Sequence, residues 1–350
     1  MKKFTAIDIF SGAGGLSVGA QMAGIESTLA IEYCEHAAAT YKENHKNAIV
    51  LNQDIKLVQP LEHTKKQPFI LFGGPPCQGF SIANTKTRNL DNPNNWMFKE
   101  YIRFVKDLEP EWFLFENVVG FKSFNEGSFA KEVEKELQEL GYSTNSQVLC
   151  ASDYGVPQKR KRFFIIGNKS GKKFDFDSLE KQSLVTVKDA ISDLPTLKSG
   201  EQLKSSEYKH KANNHYLKIM RKKSKEATQN IVSLNKKYIL ERYKYIGQGE
   251  NWRAIPKEML SNYSSTINMH SGIYKRLEEN QPTVTIANYR KSMLIHPTED
   301  RGLSLREAAR LQSFPDDFIF KGPLSYQQQQ VGNAVPPLLA KVIFDKILSY

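Results

Sequence analysis

The sequence predicts an α/β protein: a doubly wound, mostly parallel sheet with helices on both faces, and a second, smaller, basic domain. Three observations carry this expectation. Strand-like and helix-like apolar patterns alternate through the first half of the chain, as β-α-β units require. The 350 residues exceed one typical domain of roughly 150, so two domains are expected. Charge is also uneven: residues 172–280 hold 21 Lys and Arg against 13 Asp and Glu, so +8 of the formal net charge of +11 falls in less than a third of the chain.

In order, residues 4–9 read as a buried strand, followed by a Gly-rich turn and a helix running to about Met22. Residues 28–31 form a second strand and 36–44 a helix; residues 69–72 form a third strand that stops at Gly73-Gly74-Pro75-Pro76. Phe98, Tyr101, Ile102, Val105 and Leu108 fall at helical spacing, and Pro110 ends that helix before a strand at 112–115. Phe129, Val133, Leu137 and Leu140 mark another amphipathic helix, and strand patterns follow at 142–149 and 163–166. Between 172 and 275 periodicity weakens and lysine-rich patches appear, among them Arg221-Lys222-Lys223. Any one such patch reads most simply as a solvated face; the asymmetry of the whole is the stronger sign of a separate basic domain. Helical patterns return at 305–311 and 336–348, the latter opened by prolines.

Composition narrows the function classes. Hydrophobic residues at 40% and charged residues at 25% support a folded core. Three cysteines exclude a disulfide-stapled secreted scaffold. The N-terminal apolar run is too short for a signal sequence, and no stretch approaches the roughly eighteen apolar residues of a membrane span, so an intracellular protein is expected. The positive charge points to a polyanionic partner without naming it.

Four segments carry chemistry. Asp8-Ile9-Phe10-Ser11-Gly12-Ala13-Gly14-Gly15 joins the first strand to the first helix, where glycines let the backbone turn and approach a ligand. Glu32 ends the second strand about twenty residues later, placed to bind ribose hydroxyls. This pair suggests an adenosine-bearing cofactor, NAD or S-adenosylmethionine, although the spacing is not the G-x-G-x-x-G of a pyrophosphate site. In Gly73-Gly74-Pro75-Pro76-Cys77-Gln78-Gly79-Phe80-Ser81, prolines fix the backbone and glycines permit tight turns, presenting Cys77 as a candidate nucleophile. Cys34 and Cys150 read as small buried residues. Glu116-Asn117-Val118 ends a strand of the same sheet, so a carboxylate near Cys77 could act as general acid. In Gln158-Lys159-Arg160-Lys161-Arg162, strand alternation predicts that Gln158, Arg160 and Arg162 share a face.

Taken in order, and with Arg301-Gly302-Leu303-Ser304-Leu305-Arg306-Glu307-Ala308-Ala309-Arg310-Leu311-Gln312-Ser313-Phe314-Pro315 and Gly332-Asn333-Ala334-Val335-Pro336-Pro337, these segments resemble the C5-cytosine-specific DNA methyltransferase family of bacterial restriction-modification systems. The resemblance spans about 1–170 and 282–350. It implies a Rossmann-like, S-adenosylmethionine-dependent methyltransferase fold. The catalytic and cofactor domain is then discontinuous, 1–195 plus 323–350, around a target-recognition domain and hinge at 196–322. Cys77 matches the nucleophile that adds to cytosine C6, Glu116 the residue that assists at N3, Arg162 the arginine at the O2 edge, and Arg160 its neighbour. S-adenosyl-L-methionine is the implied methyl donor, with Phe10, Gly12, Gly14, Gly15, Glu32, Tyr33, Asp54, Ile55, Pro76 and Asn333 at cofactor positions. No metal is implied.

The implied partner is double-stranded DNA whose target base must be flipped out of the stack. A cognate restriction endonuclease acting on the same site without direct binding, a monomeric enzyme and a cytoplasmic location at the bacterial nucleoid also follow from the resemblance. The sequence departs from the family in Asn92-Pro93-Asn94-Asn95-Trp96-Met97-Phe98, which lacks the acid and arginine of D-x-R-x-x-L-F, and has Ser304 in place of a threonine. Two other readings are an RNA-directed branch that methylates tRNA and a catalytically dead DNA-binding homologue. The long basic region disfavours the first, and intact Cys77, Glu116, Arg160 and Arg162 the second.

Overall fold

The computed structural model describes residues 4–64, 66–76, 96–263 and 269–350. The chain forms two compact units: 1–154 with 161–182 and 334–350, and 155–160 with 183–333. The bounds expected from sequence are drawn elsewhere, since 183–195 and 323–333 fall within the second unit.

The first unit alternates β1 (Phe4–Ile9), α1 (Gly15–Ala23), β2 (Ile25–Ile31), α2 (Glu35–Asn44), β3 (Ile49–Leu51), a short α3 (Pro60–His63) and β4 (Ile70–Gly73). After residues 77–95, outside the described set, come α4 (Met97–Leu108), β5 (Trp112–Asn117), α5 (Val119–Ser123), α6 (Ser128–Glu139), β6 (Ser143–Cys150) and β7 (Lys161–Asn168). Seven strands make one sheet in the order β3-β2-β1-β4-β5-β7-β6. Pairings from β3 to β5 are parallel, while β7 runs antiparallel to both β5 and β6. The sheet is therefore mostly parallel, as expected, with one reversed strand.

Its core is the apolar face the sequence pattern marks. In α4, Phe98, Tyr101, Ile102, Phe104, Val105 and Leu108 are buried, and they share a core with Phe113 and Phe115 of β5 and with Phe129, Val133 and Leu137 of α6. Each such side chain contributes about 1.5–3 kcal/mol by leaving water, more than any surface pair here can. Strand order reverses between β1 and β4, one leading outward through β2 and the other through β5. Open α/β sheets bind ligands beyond the carboxyl ends at such a reversal. Here those ends carry the Phe10–Gly14 turn and the Gly73–Pro76 loop.

The second unit holds α7 (Val187–Ile191), an antiparallel pair of β8 (Gln202–Ser206) and β9 (Ala227–Ile231) with α8 (His215–Met220) between them in the chain, α9 (Lys237–Tyr243), α10 (Leu305–Leu311) and α11 (Leu324–Asn333). α10 is buried throughout, charges included: Arg301 chelates Glu307 through bonds of 2.7 and 2.9 Å, and Arg310 bridges Asp193 and Asp316. The chain returns to the first unit as α12 (Pro337–Leu348). No helix among the described residues is long and apolar enough to cross a membrane.

Candidate functional site

Two constellations lie at the carboxyl ends of the first unit's strands. The first is the turn after β1. Phe10 adopts φ 55° and Gly14 φ 92°, left-handed conformations that let the chain double back into α1; at Phe10, a bulky residue, this stores strain of order 1–3 kcal/mol. No described atom lies within 4 Å of the point where a Gly12 side chain would begin, so the turn presents bare backbone to open space. Gly15 and Gly19 serve packing: a Cβ at Gly15 would meet the Val335 carbonyl at 2.4 Å, and one at Gly19 the Ala340 Cβ at 2.5 Å.

Beneath the turn, the Ser17 hydroxyl lies 2.6 Å from Asp8 Oδ2, 2.8 Å from the Ser27 hydroxyl and 2.6 Å from the Tyr41 hydroxyl. This buried hub ties β1, α1, β2 and α2 together. Burial pushes the Asp8 carboxyl up to about 8, partly opposed by its bond to Ser17, and holds the Tyr41 phenol well above its ordinary range. Burial also pushes His45, packed at a tilt against Tyr41 with ring centroids 4.4 Å apart, down to about 4.

Glu32 follows β2 and faces the turn. Gly12 N–H donates to its Oε2 and Cys34 N–H to its Oε1, each at 2.8 Å. Burial nonetheless raises its pKa, the backbone donors opposing. The Asn52 amide holds this segment by donating to the Glu32 and Tyr33 carbonyls at 2.9 Å each. The Tyr33 ring is 79% exposed. Asp54 caps the following turn by accepting from Lys56 N–H at 3.0 Å, Ile55 is buried, and Arg103 donates to the Ile55 carbonyl at 2.9 Å. A fixed carboxylate with lone pairs to spare, an exposed aromatic face and an open glycine backbone fit a nucleoside: ribose on Glu32, base against Tyr33. Asn52 and Arg103 escaped the sequence reading, since a lone Asn or a helical Arg has no distinguishing pattern.

The second constellation joins β4, β5 and β7. Arg162 Nε lies 2.9 Å from Glu116 Oε1, with both side chains 12% exposed. The Asn117 amide donates to the Pro75 carbonyl at 3.2 Å, tying the end of β5 to the proline loop. Neither Gly73 nor Gly74 has a left-handed φ; both admit close neighbours, and Gly79 lies outside the described residues. Pro76 is the last described residue of the loop; Cys77 and the loop at 81–95 lie outside the described residues.

The arginine segment differs from expectation. β7 starts at Lys161, so Gln158 and Arg160 precede the strand and do not share a strand face with Arg162. They belong to the second unit, together with Asn333, whereas Arg162 belongs to the first. Arg160 is fully buried, donating to the carbonyls of Ile286 at 2.8 Å and Gly332 at 2.7 Å. Gln158 donates to the Leu311 carbonyl and Gln312 and accepts from Ile286 N–H. In the structure both bind the second unit's own backbone.

Comparison with known proteins agrees with this architecture. A profile of the C-5 cytosine-specific DNA methylase family matches residues 4–349. Among curated relatives, the type II methyltransferase M1.HphI of Haemophilus parahaemolyticus is 38% identical over 98% of this chain and 86% of its own. M.DdeI of Desulfomicrobium norvegicum is 36% identical over 98% of this chain and 88% of its own. Among solved structures, a prophage-encoded E. coli protein described as a DNA modification methyltransferase superposes with a TM-score of 0.82 at 27% identity, covering 99% of both chains. An Entamoeba histolytica methyltransferase shares the fold, with a TM-score of 0.65 at 15% identity, over 100% of this chain and 99% of that one.

Proposed function

The chain belongs to the C-5 cytosine-specific DNA methylase family and is a C5-cytosine DNA methyltransferase; from that premise we propose that it methylates a cytosine flipped out of double-stranded DNA, at a specific sequence, as the modification arm of a restriction-modification system. S-adenosyl-L-methionine, when bound, supplies the methyl group. Glu32 and Tyr33 would hold its ribose and adenine, and the Phe10–Gly15 turn, Asp54, Ile55 and Pro76 would complete the cofactor set on the first unit.

Cytosine C5 is a weak nucleophile. The Cys77 thiolate adds to C6, forming a C–S bond while the C5=C6 electron pair moves to C5. Glu116 gives a proton to N3, so the ring accepts that charge, and Arg162 beside Glu116 offsets the carboxylate that results. Once C5 carries the methyl group, the donor having left as a neutral thioether, loss of the C5 proton to a base restores the double bond and expels the Cys77 thiolate, and the N3 proton returns to Glu116. Arg160 holds the second unit's own backbone, donating to the Ile286 and Gly332 carbonyls, and that basic unit carries target recognition, where cationic side chains position DNA by its phosphates. The enzyme acts as a monomer in the bacterial cytoplasm, sharing its target with a restriction endonuclease it does not bind.

The observation that carries this reading is the Glu116–Arg162 pair, tied through Asn117 to the loop leading to Cys77. The test is to incubate genomic DNA with the purified protein and labelled S-adenosylmethionine and map 5-methylcytosine by context. One sequence context is expected. Labelled tRNA with unlabelled DNA would transfer the activity to the RNA-directed branch, and binding without any transfer would mark a dead homologue.

A further inference from the structure

Gly74 follows Gly73, which pairs with Phe115 across the parallel β4–β5 ladder, so the register sets Gly74 beside Glu116. A Cβ at Gly74 would lie 2.5 Å from Glu116 Oε2 and 3.7 Å from its Cδ. That is inside the distance at which carbon and oxygen repel. Glu116 Oε1 lies 2.9 Å from Arg162 Nε, and Oε2 occupies the space over Gly74. Gly73 shows what a structural glycine looks like here. Its Cβ would strike the backbone carbonyl of Ile9, 2.0 Å away and fixed in the sheet. At Gly74 the close contact is the tip of a flexible side chain, with the Glu116 backbone carbonyl at an ordinary 3.4 Å, and its φ lies outside the left-handed region. Alanine at 74 is compatible with the backbone and incompatible with the carboxylate where it stands.

We propose that Gly74 is a positioning residue for methyl transfer: its missing Cβ makes the space that holds the Glu116 carboxylate between the proline loop and Arg162. The proposal rests on the reading of Glu116 as the proton donor to the base. It separates two demands on one loop, since Gly73 serves the fold and Gly74 the chemistry. A displacement of about 1 Å at a proton donor costs roughly a hundredfold in rate.

The experiment is a double-mutant cycle on the full chain, read by single-turnover methylation of DNA, with thermal melting and the KM for S-adenosylmethionine as controls. Gly74→Ala is expected to melt with the wild type and keep its KM for S-adenosylmethionine, because Gly74 has no left-handed φ, so alanine leaves the backbone leading to Pro76 in place, and Glu32 and the Phe10–Gly15 turn lie on β1 and β2. Its methylation rate falls about ten- to a hundredfold. In a Glu116→Ala background the same alanine costs less than about twofold, since the atom it displaces is gone. Wild-type activity in Gly74→Ala, with loss in Glu116→Ala, overturns the proposal alone. Full activity in Glu116→Ala overturns the reading of Glu116 on which it rests. An unfolded Gly74→Ala, or an equal loss in both backgrounds, makes Gly74 merely structural and also overturns it.

Discussion

Asp8 gives the sharpest quantitative prediction, because its cost to folding is set by pH. Its carboxyl is completely buried and displaced from an ordinary 3.8 to about 8, chiefly by burial, with Ser17 as its main hydrogen-bond partner. Between those two values the folded protein keeps a proton that the unfolded chain releases, so stability falls as pH rises. The slope is about 1.4 kcal/mol per pH unit. Across the window the penalty reaches on the order of 5 kcal/mol, which relaxation of the site reduces to a few. Asp8→Asn keeps the size and an oxygen acceptor for Ser17 while removing the titration. Urea denaturation of both proteins at pH 5, 6, 7 and 8 reads the effect as a difference, in which other titrating groups cancel. The variant is expected to gain on the wild type steadily up to pH 8, and the two to converge toward pH 4. A difference that is flat with pH, or that favours the wild type increasingly as pH rises, would refute the reasoning.

Other outcomes follow from the same structure. His45, pushed by burial from 6.5 down to about 4, withdraws stability as pH falls through that interval; His45→Gln should flatten the acid limb of the stability profile between pH 6.5 and 4, measured by the same denaturation series. Arg301→Met strands Glu307, whose carboxyl is held at about 2 against burial mainly by that arginine. It should cost about 3–5 kcal/mol in unfolding free energy, and a second change of Glu307→Gln should recover part of that loss. Cys77→Ser should abolish methyl transfer while leaving cofactor affinity, read by calorimetry, near the wild-type value.

Legibility in the sequence tracked how strongly burial shapes the pattern. Phe4–Ile9 and Met97–Leu108 were readable because runs and stripes of apolar residues admit few other uses. The reversal of β7 was not, since a strand buried on both faces reads alike in either direction. β3 has three residues, too few for a period, and the antiparallel β8–β9 pair, Gln-Leu-Lys-Ser-Ser with Ala-Thr-Gln-Asn-Ile, lacks clean alternation. Arg306, Glu307 and Arg310 resemble a solvated helix face; they are buried because Asp193, Asp316, Arg301 and backbone carbonyls satisfy them. At the candidate site, Glu116 was visible as a carboxylate ending an apolar strand. The role of Gly74 was hidden, because sequence records a missing side chain without saying what fills its place. The division of Arg160 from Arg162 was hidden too: two residues apart, they fall in different units.

In the proposed reaction Cys77 attacks a cytosine in DNA whose C5 then takes the methyl group. Replacing the target C5–H by C5–F tests it most directly, because fluorine cannot leave as the proton does and the thiolate cannot be expelled. Incubating the protein and S-adenosylmethionine with 5-fluorocytosine duplex carrying the mapped site, followed by peptide mass mapping, should yield a stable one-to-one adduct at Cys77 that Cys77→Ser lacks. Methylation of ordinary DNA by the wild type with no adduct on the fluorinated site, or an adduct at another residue, would contradict the account.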